Sequence, residues 1–96
     1  MSPSLFPSEY GETELYETTE IGLASRVVLY NDEIHTYDEV ITQIRKATRC
    51  SMQKAEILTI EVDTRGKAIV YDGEIAECLR VSAILEEIEL HTQIEC

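Results

Sequence analysis

The chain has 96 residues, with 19 acidic side chains against eight basic ones, for a net charge of −11. That length allows one small domain; the charge excludes nucleic acid, which is bound through Lys and Arg, and disfavours an anionic membrane surface. No run approaches the ~20 apolar residues of a membrane span, and the first residues show neither the basic nor the apolar region of a signal peptide. A cytoplasmic protein is therefore expected. Three cysteines, Cys50, Cys78 and Cys96, form no CxxC pair and have no histidine at a ligand spacing. They read as free thiols, with no metal and no cofactor implied.

Residues 1–24 read as a flexible acidic arm. Pro3 and Pro7 interrupt it, and Glu9, Glu12, Glu14, Glu17 and Glu20 face no basic residue before Arg26. Too little apolar surface is present to offset the entropy of ordering it. The domain proper is expected over residues 25–96. Arg26 to Tyr30 is apolar and β-branched, which predicts a strand. The strand runs into Asn31-Asp32-Glu33, and a helix start follows. Thr36-Tyr37-Asp38-Glu39 fits a capping box, and Tyr37, Val40, Ile41, Ile44 and Ala47 mark one helical face. Asp38 and Glu39 in the first turn and Arg45, Lys46 and Arg49 in the last complement the helix dipole. The spacing predicts a helix over 37–49.

Residues 51–63 carry two patterns. Ser51 suits a cap for a helix burying Met52, Ala55, Thr59 and Val62. Leu58, Ile60 and Val62 alternate with Thr59, Glu61 and Asp63 as in a strand, and pattern alone slightly favours the strand. Thr64 to Lys67 is a turn around Gly66, and Ala68 to Tyr71 a strand. Asp72 and Gly73 then open a last helix reaching Ile88, and Thr92 to Cys96 suits a closing strand. Helices layered on a small sheet, an α+β fold, follow from this order.

Asn31 and Asp32 at a strand end place oxygen atoms at a rim. That suits a cation with N–H donors, such as a peptide α-ammonium group; it equally suits a turn whose side chains bond local backbone. The strand ending in Asn31-Asp32, the capped helix, Gly66-Lys67-Ala68 before a strand, and Glu74-Ile75-Ala76-Glu77 opening the last helix occur in that order. With these signals, residues 26–96 resemble the ClpS family, adaptors that recognise N-terminal degradation signals (N-degrons). The ClpS-like domain of eukaryotic N-recognin ubiquitin ligases is equally similar around Asn31 to Val40 and Val62 to Ala68.

The resemblance implies a three-stranded antiparallel sheet packed with three helices, and it makes residues 51–63 helical. It implies that Asn31, Asp32 and a third residue, His in the adaptors and Asp63 here, hold the substrate's α-amino group. A gate that is usually Met falls on Tyr37. The walls of a hydrophobic pocket fall on Val40, Thr59, Val62 and Ile94, and His35 stands where a small hydroxyl residue often contacts the peptide backbone. A docking surface for the Clp unfoldase at the start of the last helix falls on Glu74 and on Leu79, where the family has a basic residue. The expected activity is binding, not catalysis: delivery of N-degron substrates with a bulky hydrophobic first side chain to a Clp protease. The alternatives are the substrate-binding domain of a ubiquitin ligase, or an interaction module that reads no degron. A Cys-His hydrolase is disfavoured, because its nucleophile and base must meet in space and nothing in the spacing joins them.

Overall fold

The computed structural model describes residues 24–96; the acidic arm expected over 1–24 lies, but for Ala24, outside the described residues. Three strands and three helices follow in the order β1 (Ala24–Tyr30), α1 (Tyr37–Thr48), α2 (Met52–Arg65), β2 (Lys67–Glu74), α3 (Ile75–Glu86) and β3 (Thr92–Glu95). The sheet order is β2-β1-β3, with both pairings antiparallel. This is the α+β arrangement of three helices on a three-stranded sheet that the resemblance implies.

Helix α1 starts where the capping box places it. The Glu39 amide donates to Thr36 Oγ1 at 3.2 Å, and the Thr36 amide donates to Glu39 Oε1 at 2.8 Å. The helix ends one residue before the expected limit, at Thr48, because Arg49 turns left-handed with φ 61° while its amide reaches Arg45 O. Residues 51–63 are helical, which overturns the strand that alternation favoured. Ser51 Oγ caps the Lys54 amide at 3.0 Å. Ala55, Leu58, Thr59 and Val62 are the buried residues, a spacing of three and four that only a helix puts on one face. Ile60, the centre of the apparent alternation, is exposed, as is Met52.

Gly66 closes α2 with φ 88°, a left-handed conformation open to glycine at little strain. Strand β2 then runs to Glu74, three residues beyond expectation. Asp72 and Gly73 do not open α3; they pair with Arg26 and Ser25 of β1. The strand continues because β1 reaches back to Ala24 and supplies ladder partners. Gly73 fits there because the Tyr71 ring lies over it: a Cβ would come within 2.9 Å of that ring. Glu74 is the N-cap of α3 and makes no side-chain cap bond. The last helix ends at Glu86, and β3 ends at Glu95.

The core gathers one sheet face and the inner faces of all three helices. Val27, Leu29, Ala68 and Val70 meet Ile44 and Ala47 of α1, Ala55, Leu58 and Val62 of α2, and Cys78, Val81 and Leu85 of α3; Leu90 closes it. The register shifts between Val27, opposite Tyr71, and Val28, opposite Ile69, so Val70 is the extra residue of a bulge in β2. Val27 and Leu29, two apart on β1, share the face that meets this core.

Candidate functional site

One end of the sheet is built from three chain segments tied together by hydrogen bonds. The Asn31 amide donates to Gly66 O at 2.9 Å, and the Tyr30 amide donates to His91 O at 3.0 Å. The His35 ring donates through Nε2 to Ile88 O at 2.6 Å. The end of β1, the α2–β2 turn and the α3–β3 turn are thereby held around a cavity of about 50 Å³. Its lining comprises Leu29, Tyr30, Asn31, Asp32, His35, Tyr37, Val40, Thr59, Val62, Asp63 and Leu90. Eight of the nine residues that the resemblance implies for the amino group, gate, walls and peptide-backbone contact line this one cavity.

The ninth, Ile94, lies elsewhere. Because β3 runs antiparallel to β1, Thr92 sits beside Leu29 and later residues recede from the Tyr30 end. Ile94 falls opposite Val27 and packs against the core. Leu90 supplies the missing wall. It was legible only as an apolar residue between Glu89 and His91, which gives no hint of where the turn would put it.

Asp32 is largely occupied by its own loop. Its Oδ1 accepts the amides of Ile34 and His35, each at 3.0 Å, an Asx-type turn. Its Oδ2 accepts from His35 Nδ1 at 2.7 Å. Burial pushes the Asp32 carboxyl up, but the two amides and the imidazole outweigh it, and the pKa is lowered. An ionised carboxylate offers about four acceptor positions, so one remains open. His35 faces acceptors on both nitrogens. A carboxylate and a carbonyl cannot donate, so the imidazolium, with two N–H groups, satisfies both. The bond to Asp32, opposed by burial and joined by the Ile88 carbonyl, raises its pKa. His35 is therefore a strut of the cavity wall.

Asn31 is exposed, and its side chain makes no hydrogen bond among the described residues. Across the mouth, the Tyr37 hydroxyl donates to Asp63 Oδ2 at 2.5 Å, which leaves Asp63 Oδ1 open. That bond, with lesser contributions from burial and the carboxylate charge, raises the tyrosine pKa. Beneath this polar rim the cavity is apolar. Leu29, Val62 and Leu90 are buried, and Val40 is half-buried. Thr59 is buried too, its hydroxyl donating to Ala55 O at 2.8 Å. The rim thus presents acceptor oxygens from Asn31, Asp32 and Asp63 above an apolar floor, a match for a cation carrying an apolar group.

Glu74 and Leu79 are remote from the cavity. Glu74 pairs with Ala24 at the other end of β1, about 20 Å from Tyr30 at ~3.3 Å per residue, and Leu79 lies exposed one turn into α3. A larger, open hollow of about 410 Å³ lies beside β2 and holds charges of both signs, Glu61, Arg65, Lys67 and Glu95; none of the expected site residues lines it. Among the described residues, no group of three or more His, Cys, Asp or Glu side chains is disposed to hold a metal ion. None of their helices is long and apolar enough to cross a membrane.

The human E3 ubiquitin-protein ligase UBR1 is 35% identical over 66 residues, 69% of this chain and 4% of the ligase. Its Drosophila melanogaster counterpart is 36% identical over 59 residues, 62% of this chain and 3% of that protein. The chain therefore spans only a few per cent of the curated relatives it matches. In structure, Agrobacterium tumefaciens ClpS2, solved bound to L-phenylalaninamide, superposes with a TM-score of 0.70 at 17% identity, covering 75% of this chain and 94% of that one. The family model for the ATP-dependent Clp protease adaptor protein ClpS matches residues 24–93, from the first residue of β1 into β3, and on that match the chain belongs to the ClpS family.

Proposed function

We propose that this domain is an N-degron reader: it binds the free α-amino group and bulky hydrophobic first side chain of a substrate and delivers that substrate to an ATP-dependent Clp protease in the cytoplasm. The observation that carries the reading is the meeting of Asn31, Asp32 and Asp63 above the apolar floor of one cavity. An α-amino group, with a pKa of about 7.7–8.0, is mostly ammonium at neutral pH. It offers three N–H donors and no acceptor. The Asn31 amide oxygen, the open position on Asp32 and Asp63 Oδ1 supply three acceptors, two of them charged, and charge-assisted hydrogen bonds are about twice as strong as neutral ones. Burying an aliphatic or aromatic first side chain below them adds about 1.5–3 kcal/mol. No step here is catalytic.

The position of Glu74 and Leu79 supports the delivery half of the proposal. A substrate at the Tyr30 end of β1 and an unfoldase at the Glu74 end would not compete for space. A second reading, the substrate-binding domain of a ubiquitin ligase, is favoured by the UBR1 similarity across the stretch that includes the site. Both readings share the pocket and differ in the delivery partner.

The test is fluorescence anisotropy with a short Leu-initiated peptide, free or N-acetylated. Binding should need the free amine. Asn31→Ala should weaken it without disturbing the fold, since that side chain holds nothing else; Asp32→Ala is the poorer probe, because it also releases His35 and two backbone amides. Equal binding of the acetylated peptide overturns the reading. Pull-down with purified Clp unfoldase, with and without residues 1–24, then separates the two delivery partners.

A further inference from the structure

We infer that the first-residue preference of this pocket is aliphatic rather than aromatic, and that Tyr37, latched to Asp63, is the residue that sets the limit. The inference rests on the N-degron reading above and narrows its substrate class to peptides beginning with Val, Ile or Leu. The first observation is size. The cavity holds about 50 Å³, whereas an apolar cavity that accepts benzene measures about 150 Å³. On that scale each carbon needs about 25 Å³, so the space takes two carbons. The paired methyl groups of leucine or valine meet that requirement while the stem of the side chain stays at the mouth. A six-membered ring is planar and rigid and cannot be divided in that way.

The second observation is which wall is able to move. Leu29, Val62 and Leu90 belong to the core, with 0%, 5% and 4% of their surface exposed, and a close-packed core does not retreat without disturbing its neighbours. The Thr59 hydroxyl is fixed on Ala55 O. Tyr37 differs: it is the first residue of α1, 46% exposed and outside the core cluster. What holds its ring across the mouth is the hydroxyl bond to Asp63. A ring-bearing substrate has to break that bond to enter, while a branched aliphatic one leaves it intact. The same bond keeps Asp63 in place, with Oδ1 available to the ammonium group.

The test is anisotropy of wild type, Tyr37→Phe and Tyr37→Ala against peptides differing only in residue one (Val, Ile, Leu, Phe, Tyr, Trp), each free and N-acetylated. Wild type should bind the best aliphatic peptide about tenfold or more tighter than the best aromatic one, within the range that pocket size alone produces. Tyr37→Phe, freed from Asp63, should narrow that gap, and Tyr37→Ala should bring it below about threefold. Aromatic peptides binding wild type as tightly as aliphatic ones, in an acetylation-sensitive way, would overturn this inference and leave the N-degron reading standing. An aliphatic preference that survives Tyr37→Ala would overturn the assignment to Tyr37. Binding to no free N-terminus, or equally to acetylated peptides, would overturn the reading and the inference with it.

Discussion

His35→Ala at two pH values tests the wall of the site. Wild-type His35 spans Asp32 Oδ2 and Ile88 O at 2.7 and 2.6 Å, with 10% of its side chain exposed and 24% of Asp32's. Hydrogen bonds to charged groups contribute about 1.5–3 kcal/mol each. The rim position and ionic screening call for a value well below the sum of two, so removal should cost about 2 kcal/mol at pH 6. For a domain of this size that lowers Tm by about 8–16 °C. The His35 pKa is raised from its ordinary 6.5, so this stabilisation is complete below 6.5 and is lost as the pH rises through the folded-state value. Neutral imidazole keeps one N–H and serves one of its two acceptors. The gap between wild type and His35→Ala should therefore fall by about half at pH 9. Asp32 acts in the other direction: lowered from 3.8, its contribution is present above 3.8 and lost as pH falls through its folded-state value. Thermal melts of both proteins at pH 6 and 9 supply the measurement. A gap unchanged between the two pH values, or below about 0.5 kcal/mol as for an ordinary surface side chain, refutes the strut.

Thr36→Ala removes the hydroxyl that accepts the Glu39 amide and leaves the bond from the residue-36 amide to Glu39 Oε1; it should cost about 1 kcal/mol in urea titrations, with no change in m-value. Gly66→Ala meets no atom within 4 Å of the new Cβ; its cost of about 1 kcal/mol should come from the left-handed backbone alone, and an Asn at the same position should recover part of it. Leu85→Ala empties a fully buried site and should lose about 2–5 kcal/mol. Leu79→Ala, 58% exposed, should stay within about 0.5 kcal/mol of wild type in the same titrations while weakening unfoldase pull-down.

The parts legible in the sequence are those fixed by local chemistry. The capping box located α1 because both of its bonds lie within four residues, and the Asn31-Asp32 pair marked the strand end for the same reason. The alternation within residues 51–63 misled because Ile60 is exposed while Thr59 is buried; the competing helical spacing of Ala55, Thr59 and Val62, which the resemblance also implied, is the one that holds. Burial of Thr59 is possible because its hydroxyl donates to Ala55 O. Asp72 and Gly73 looked like a helix start because β2's extra length depends on partners 46 to 50 positions earlier in β1, beyond any local window. Leu90 and Ile94 exchanged places for a similar reason. The direction and register of β3 decide which of them reaches the cavity, and four residues of strand carry too little pattern to fix either.

The two ends of the described chain meet. Ala24 and Ser25 open β1 beside the last residues of β3, and Ser25 Oγ lies 3.6 Å from Cys96 Sγ. Both ends leave from the pole opposite the cavity. A polypeptide entering at Ala24 and leaving at Cys96 passes through the domain as a side branch, so the unit can be spliced into a surface loop of another protein without stretching either strand. The exposed Cys96 thiol is likewise a place to attach the domain to a bead or a dye with its pocket facing outward.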